Sequence, residues 1–252
     1  MKTHEMATAD GATPYISVRD LTMAYGSHVL MRDMTFSVNQ GDVFVIMGAS
    51  GSGKSTLLRH LIGLNQPAQG SIYYRAENFT SADSSQRERI LRNVGILFQG
   101  GALWSAMTLS ENVGLLLEEY TDLTPAQIRQ VASLKLALVG LRGFEDYYPS
   151  EISGGMQKRA GLARAMALDP DILFFDEPSA GLDPISARRL DELLLQLRDS
   201  LGITAVVVSH DLASIFAIGT NSVYLDVSSQ AITASGPPTE LLARTEDSTL
   251  RS

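Results

Sequence analysis

The chain has 252 residues, 44% of them hydrophobic, which suits one α/β domain, or a core with one inserted subdomain, better than two independent domains. Acidic residues outnumber basic ones by 28 to 20, and the net charge of −8 disfavours non-specific nucleic-acid binding. There is no cysteine, so disulfides and thiolate metal sites are excluded.

Residues 1–13 are polar and lack the apolar stretch of a secretory signal, so residues 1–14 are expected to form a flexible tail. Residues 15–21 and 34–38 read as short strands with polar interruptions, forming an antiparallel sheet at the edge of the domain. The run Val43-Phe44-Val45-Ile46-Met47 predicts a buried parallel strand over 42–47. A glycine-rich turn follows it, and then a helix over 54–64 with Leu57, Leu58, Leu61 and Ile62 on one face and Gly63 as its stop. Residues 100–167 are rich in helix formers and predict a mainly helical insertion. Two further buried strands are expected at 172–175 and 204–208, joined by a helix with Leu190, Leu193, Leu194, Leu197 and Leu201 on one stripe. This alternation implies a mostly parallel sheet with its sites at the carboxyl ends of the strands. Gly236-Pro237-Pro238 ends the regular part, ahead of a short helix over 239–244 and a polar tail over 245–252. The most apolar windows, 172–175 and 203–208, are far shorter than the roughly 18 residues of a spanning helix. The chain is therefore expected to be soluble and to need a partner to hold it at any membrane.

Three segments carry chemistry. Gly48-Ala49-Ser50-Gly51-Ser52-Gly53-Lys54-Ser55 matches the P-loop pattern between a predicted strand and a predicted helix. Its glycines let backbone N–H groups turn inward around phosphates, and the helix N-terminus adds positive dipole. In that pattern Lys54 reaches the β and γ phosphates and Ser55 offers a hydroxyl to Mg²⁺. Next, Leu173-Phe174-Phe175-Asp176-Glu177 is an apolar strand ending in two carboxylates. Adjacent acids repel and need solvation or a cation. Mg²⁺ on Asp176, with Glu177 aimed at an attacking water, explains the pair beside a P-loop better than an ordinary solvated strand end does. Finally, Ile152-Ser153-Gly154-Gly155-Met156-Gln157 opens a helix through Arg164 and suits a second anion site. One chain has no need of two γ-phosphate sites, whereas two chains packed head to tail do.

The P-loop, the Ser-Gly-Gly segment, the Asp-Glu pair, Gln99 and His210 stand in the order and spacing of the ABC ATPases, and residues 15–242 resemble that family. The resemblance implies an α/β fold: a RecA-like P-loop NTPase core with a mainly parallel sheet, an N-terminal antiparallel β subdomain and an inserted α-helical subdomain. It divides a single domain, 15–244, into a core at 15–99 and 164–244 and a helical subdomain at 100–163. It implies ATP and Mg²⁺ as cofactors, with Gly48, Ser50, Gly51, Ser52, Gly53, Lys54, Ser55 and Thr56 around the phosphates. Tyr25 would stack on adenine, although a strand tyrosine also suits plain packing. Gln99, after Gly95-Ile96-Leu97-Phe98, resembles the switch glutamine that touches the metal and the attacking water. Ser55, Gln99 and Asp176 would hold the metal, and Glu177, His210 and Gln99 would act on the reacting groups. A histidine after a buried strand is more often a satisfied core residue; the place of His210 at the same sheet edge as Asp176 reverses that preference. Ser153, Gly154, Gly155 and Asp183 would act across a homodimer. His4, His28 and His60 have no such setting.

Ile152 and Met156 depart from the Leu and Gln that usually flank the family's Ser-Gly-Gly. Met156 removes a hydrogen-bonding side chain but leaves the backbone donors and Ser153, and many importer ATPases resemble this variant. The run Gln99-Gly100-Gly101-Ala102-Leu103-Trp104, with Met107-Thr108 and Glu111-Asn112-Val113 after it, resembles the ATPases of Mce-associated phospholipid transporters. Amino-acid importer ATPases are a more distant likeness. This implies a peripheral homodimer at the cytoplasmic face of a bacterial inner membrane, with integral permease subunits, an MCE-type lipid-binding subunit and no nucleic acid. Trp104 is expected on the permease surface or, alternatively, in the core of the helical insertion. A soluble ABC ATPase acting on DNA or ribosomes fits less well: there is one P-loop module and no heptad array. A small-molecule P-loop kinase leaves Ser153-Gly154-Gly155 without a purpose.

Overall fold

Two long strands open the chain, β1 (Ile16–Tyr25) and β2 (His28–Val38), and pair antiparallel. The computed structural model describes residues 14–244; of the tail expected at 1–14 only Pro14 is among them, and the rest of it, with His4, and the tail expected at 245–252 lie outside the described residues. Both strands run further than the sequence pattern predicts. Register shifts near Asp20, where the backbone takes φ +49°, break the apolar alternation along β1, and Asp33 at φ +50° does so along β2. After them come β3 (Val43–Gly48) and α1 (Lys54–Leu61). Next are β4 (Gln69–Tyr74), the two-residue β5 (Glu77–Asn78), α2 (Ser84–Leu91) and β6 (Val94–Leu97). The insertion contributes α3 (Leu109–Tyr120), α4 (Pro125–Leu138) and α5 (Gly154–Ala165). Beyond it lie β7 (Ile172–Asp176), α6 (Pro184–Leu201), β8 (Thr204–Val208), α7 (Leu212–Ile218), β9 (Asn221–Asp226), β10 (Ala231–Gly236) and α8 (Pro238–Arg244).

The strands form two sheets. The smaller is antiparallel in the order β2-β1-β4-β5, which makes β1 an inner strand rather than an edge. The larger runs β10-β9-β3-β8-β7-β6, parallel from β9 to β6, with β10 antiparallel to β9. This is the expected mostly parallel core with an antiparallel N-terminal sheet.

Alternation along the buried strands distributes side chains between two layers. Phe44, Ile46, Ile172, Phe174, Val206 and Val208 join the cluster that includes Leu57, Leu58 and Leu61 of α1 and the inner face of the small sheet. Leu173, Phe175, Ala205 and Val207 point the other way, into a cluster with α5, α6 and the helical insertion. Each valine, leucine, isoleucine or phenylalanine among them, fully buried, contributes about 1.5–3 kcal/mol. Leu190, Leu193, Leu194 and Leu197 cover the sheet as expected, but Leu201 is exposed, one residue before Gly202 ends α6 at φ +68°.

The insertion begins as an irregular stretch and then becomes helical. Thr108 and Thr124 each cap a helix with a reciprocal capping box, to Glu111 and Gln127. Helix α5 belongs to both regions: it packs on α3 and α4 and also on β6 and α6. Contact with β6 is close enough that a Cβ added at Gly95 would stand 2.2 Å from the Ala165 carbonyl oxygen. The expected boundary between 163 and 164 falls in the last turn of α5. Among the described residues, no helix is long and apolar enough to cross a membrane.

Candidate functional site

Four neighbouring parallel strands, in the order β3-β8-β7-β6, deliver the candidate residues from their carboxyl ends. Strand β3 runs into the P-loop, β8 is followed by His210, β7 ends at Asp176 with Glu177 next, and Gln99 lies two residues beyond β6. Gly48 leaves β3 at φ +152°, and a Cβ there would stand 2.5 Å from Ser52 Oγ and 2.6 Å from the Leu225 carbonyl oxygen. Only glycine fits. Gly53, at φ +89°, turns the chain into α1, whose N-terminus favours an anion.

Lys54 is buried, and its ammonium donates to the carbonyl oxygens of Gly48 at 2.8 Å and Ala49 at 2.9 Å. Burial holds its pKa below the usual lysine value, against the opposing pull of Glu177 and then Asp176. Asp176, itself only 8% exposed, accepts a hydrogen bond from Ser55 Oγ at 2.7 Å. Glu177 takes the left-handed backbone conformation, φ +50°, while its N–H donates to the Val208 carbonyl at 2.9 Å. That hydrogen bond extends the ladder one residue past the strand and fixes the carboxylate 2.9 Å from His210 Nδ1. Strain of this kind costs about 1–3 kcal/mol and gathers at functional sites.

A cleft of about 830 Å³ lies over these strand ends, lined by Tyr25, the P-loop, Gln99, Glu177, His210 and an apolar flank that includes Met47, Ile215 and Tyr224. The structure thus brings Tyr25, Gly48, Ser50 to Thr56, Gln99, Glu177 and His210 around one volume, with Asp176 joined to it through Ser55. Tyr25 is 55% exposed at the end of β1, so it does not serve plain packing. Ser55 and Asp176 offer two hard oxygen donors side by side, a set that fits Mg²⁺ completed by phosphate and water oxygens. Among the described residues there is no group of three or more His, Asp or Glu that would cage a metal by itself.

Ser153, Gly154, Gly155 and Asp183 do not line that cleft. They build a second patch. Ser153 caps α5 by accepting from the Met156 N–H at 3.3 Å, and Asp183 caps α6 by accepting from Ile185 and Ser186, both at 3.0 Å. Hydrogen bonds from the Ser186 side chain and backbone hold the Asp183 carboxyl below the usual carboxylate range. A Cβ on Gly155 would stand 3.3 Å from Ser186 Oγ, so two helix N-termini meet at this patch.

Trp104 is 63% exposed, which overturns the alternative that placed it in the core of the insertion. Its backbone is held on both sides by the buried Asn112, whose Oδ1 accepts from Trp104 N at 2.7 Å and whose Nδ2 donates to Trp104 O at 3.0 Å. His60 is buried with Nδ1 2.8 Å from the Thr56 carbonyl, an ordinary intrahelical contact, and His28 is exposed at the start of β2. The sequence reading missed Lys158. It is buried, its ammonium donates to the Gln99 carbonyl, and Asp176 and Glu177 oppose the lowering of its pKa that burial causes. Its spacing of five residues from Ser153 is legible, but lysines within helices are usually solvated, so nothing in the pattern marks it.

Fold and strand-end residues define a P-loop nucleotide-binding protein of the doubly wound class. The profile of the ABC transporter family matches residues 31–180, and the chain belongs to that family. It is 39% identical over 227 residues to the intermembrane phospholipid transport system ATP-binding protein MlaF of Haemophilus influenzae, covering 90% of this chain and 85% of that protein. It is 42% identical over 197 residues to the probable ribonucleotide transport ATP-binding protein mkl of Mycobacterium tuberculosis, covering 78% of this chain. The chain spans only 55% of the length of that mycobacterial relative. Among solved structures, the post-hydrolysis dimer of the ATP-binding cassette MJ0796 with ADP and Pi superimposes with a TM-score of 0.79 at 29% identity, over 88% of this chain and 98% of that one. The chain is accordingly an ATP-binding cassette of the ABC ATPase fold.

Proposed function

We propose that this chain binds and hydrolyses ATP as the nucleotide-binding subunit of an ABC transporter, dimerising around ATP to drive integral membrane permease subunits. The observation that carries the reading is the convergence of the P-loop, Asp176, Glu177, His210 and Gln99 on one cleft at four strand ends. The reaction is phosphoryl transfer to water, where positioning and charge stabilisation supply most of the catalysis. Lys54 leaves the loop carbonyls for the β and γ phosphates. Glu177, fixed by its backbone bond to Val208, orients and deprotonates the water, and His210 holds the Glu177 carboxylate and meets the γ-phosphate. Ser55 and Asp176, with Gln99, would hold Mg²⁺, which neutralises charge on the phosphate oxygens. Tyr25, exposed at the mouth of the cleft, offers a face for adenine.

Ser153, Gly154, Gly155 and Asp183 lie off the cleft, and their use requires a second copy packed head to tail. The dimeric state of the MJ0796 neighbour supports that arrangement. Residues 100–163 then act as the helical subdomain that carries the cycle from the core, 15–99 and 164–244, to the permease. Glu177→Gln should abolish steady-state hydrolysis, leave ATP binding intact and trap the closed dimer, whereas Lys54→Ala should weaken nucleotide binding itself. Unchanged turnover in Glu177→Gln would remove Glu177 from this role.

For the cargo we favour phospholipid moved between bacterial membranes, with the dimer peripheral at the cytoplasmic face of the inner membrane beside an MCE-type lipid-binding subunit. The two-way coverage of the MlaF relative and the Gly-Ala-Leu-Trp run after Gln99 support this over the ribonucleotide named for mkl. Purifying the assembled transporter from its native membrane should recover bound phospholipid; recovery of a nucleotide- or amino-acid-binding subunit instead would overturn the assignment. The surface at Trp104, presented by Asn112, supports a docking role for a permease element. Trp104→Ala should weaken permease binding by about 1–4 kcal/mol as an interface anchor. Because its side chain is exposed, unfolding of the isolated variant should change by no more than about 0.5 kcal/mol. A large drop in melting temperature with permease affinity intact would contradict the docking role.

A further inference from the structure

One face of α5 grips the loop that follows Gln99. Lys158, Gly161 and Arg164 recur at three-residue intervals and so share a side of the helix. Lys158 donates to the Gln99 carbonyl, and the Arg164 guanidinium donates to the carbonyls of Gly101, at 3.3 Å, and Ala102. Between these two cations Gly161 has no side chain, and an added Cβ would stand 2.8 Å from the Gly101 carbonyl oxygen and 2.9 Å from Leu97 Cδ1. The loop therefore lies directly on the helix. It is bent to do so: Gly101 takes φ +71° and Ala102 φ +52°, a conformation that alanine rarely adopts.

Lys158 is the odd member of this set. A buried ammonium is costly unless it is paired and hydrogen-bonded, and a structural helix–loop contact needs no charge at all. Its surroundings give the charge a use. Asp176 and Glu177 both lie within electrostatic reach of it, and among the described residues it donates a hydrogen bond to Gln99, which lines the cleft. The same helix begins at Ser153, so whatever engages its N-terminus acts on a rigid body that also carries Lys158.

We propose that Lys158 is a positioning residue for the hydrolytic site: by anchoring the carbonyl of Gln99 at the cleft that Gln99 and Glu177 both line, it sets the Gln99 side chain for catalysis and ties that setting to α5. The inference rests on the proposed ATPase function and adds to it a residue outside the P-loop, strand-end and Ser-Gly-Gly segments. Lys158 acts through Gln99, so removing its charge should reduce turnover without altering how well nucleotide binds.

The test uses the purified full chain with Mg-ATP, measuring kcat and KM, binding of the fluorescent analogue TNP-ATP, and thermal melting. Four variants are compared with the parent: Lys158→Met, Lys158→Arg, Gln99→Ala and the Lys158→Met/Gln99→Ala double. Lys158→Met should lower kcat about tenfold or more while KM and TNP-ATP affinity stay within about twofold. Lys158→Arg, which keeps the charge and the donors, should return kcat to within about threefold of the parent. In the Gln99→Ala background the Lys158→Met change should cost less than about twofold, since no glutamine side chain remains to be positioned. A full tenfold loss persisting in that background would overturn the proposal, as would a matched loss of nucleotide binding, a collapse of the melting transition, or parent-like turnover in Lys158→Met. A parent chain that binds TNP-ATP but hydrolyses nothing would instead remove the proposed function on which this inference stands.

Discussion

Asp176 and Glu177 close a strand whose residues are all buried, and adjacent carboxylates in that position need compensation from cations or hydrogen-bond donors. Much of the surrounding architecture supplies it. Ser55 donates to Asp176 from the first turn of α1, His210 meets Glu177 from the end of the next strand, and Lys54 and Lys158 bring buried positive charge from opposite faces of the sheet. Lys54 donates to its own loop carbonyls rather than pairing directly with either acid, so its charge stays beside the cleft. A phosphate group entering the cleft would meet the Lys54 ammonium and the N-terminus of α1 already in place. That is the preorganisation phosphoryl transfer depends on.

The parallel sheet makes this arrangement possible because four neighbouring strands, β3, β8, β7 and β6, end on the same side. Alternating side chains lock the strands between α1 and the small sheet on one face and α5 and α6 on the other. Residues beyond the strand ends then inherit the precision of the sheet. Glu177 shows how far this goes: its backbone N–H still belongs to the ladder although its φ does not. Helix α5 extends the same logic outward, since one rigid element begins at the Ser153 patch, grips the loop after Gln99 and packs on β6.

Much of this was legible in the sequence, and the exceptions have physical causes. Buried parallel strands such as Thr204–Val208 announce themselves as continuous apolar runs, and the P-loop glycines and the strand-end acids have few other uses. The outer elements were harder. Strands β1 and β2 were expected too short because bulges at Asp20 and Asp33 disrupt their alternation. Elements β4, α7, β9 and β10 are not marked in the sequence, because their patterns mix exposed and buried residues without a clean period. In the sequence an aromatic in a loop such as Trp104 fits surface or core equally; in the fold it is exposed, with its backbone held by Asn112. Lys158 stayed hidden because only the folded chain shows which helix face meets the loop after Gln99.

In the proposed head-to-tail dimer one chain supplies half of each nucleotide site, and the absence of cysteine from the sequence allows a clean test. Ser153→Cys chains are mixed with Ser50→Cys chains, both in a Glu177→Gln background, and treated with a short bifunctional thiol crosslinker. The account predicts a covalent product containing one chain of each kind, formed with ATP and lost without it. If ATP produced no such product, and a chain carrying both cysteines crosslinked only within itself, the head-to-tail site would be contradicted.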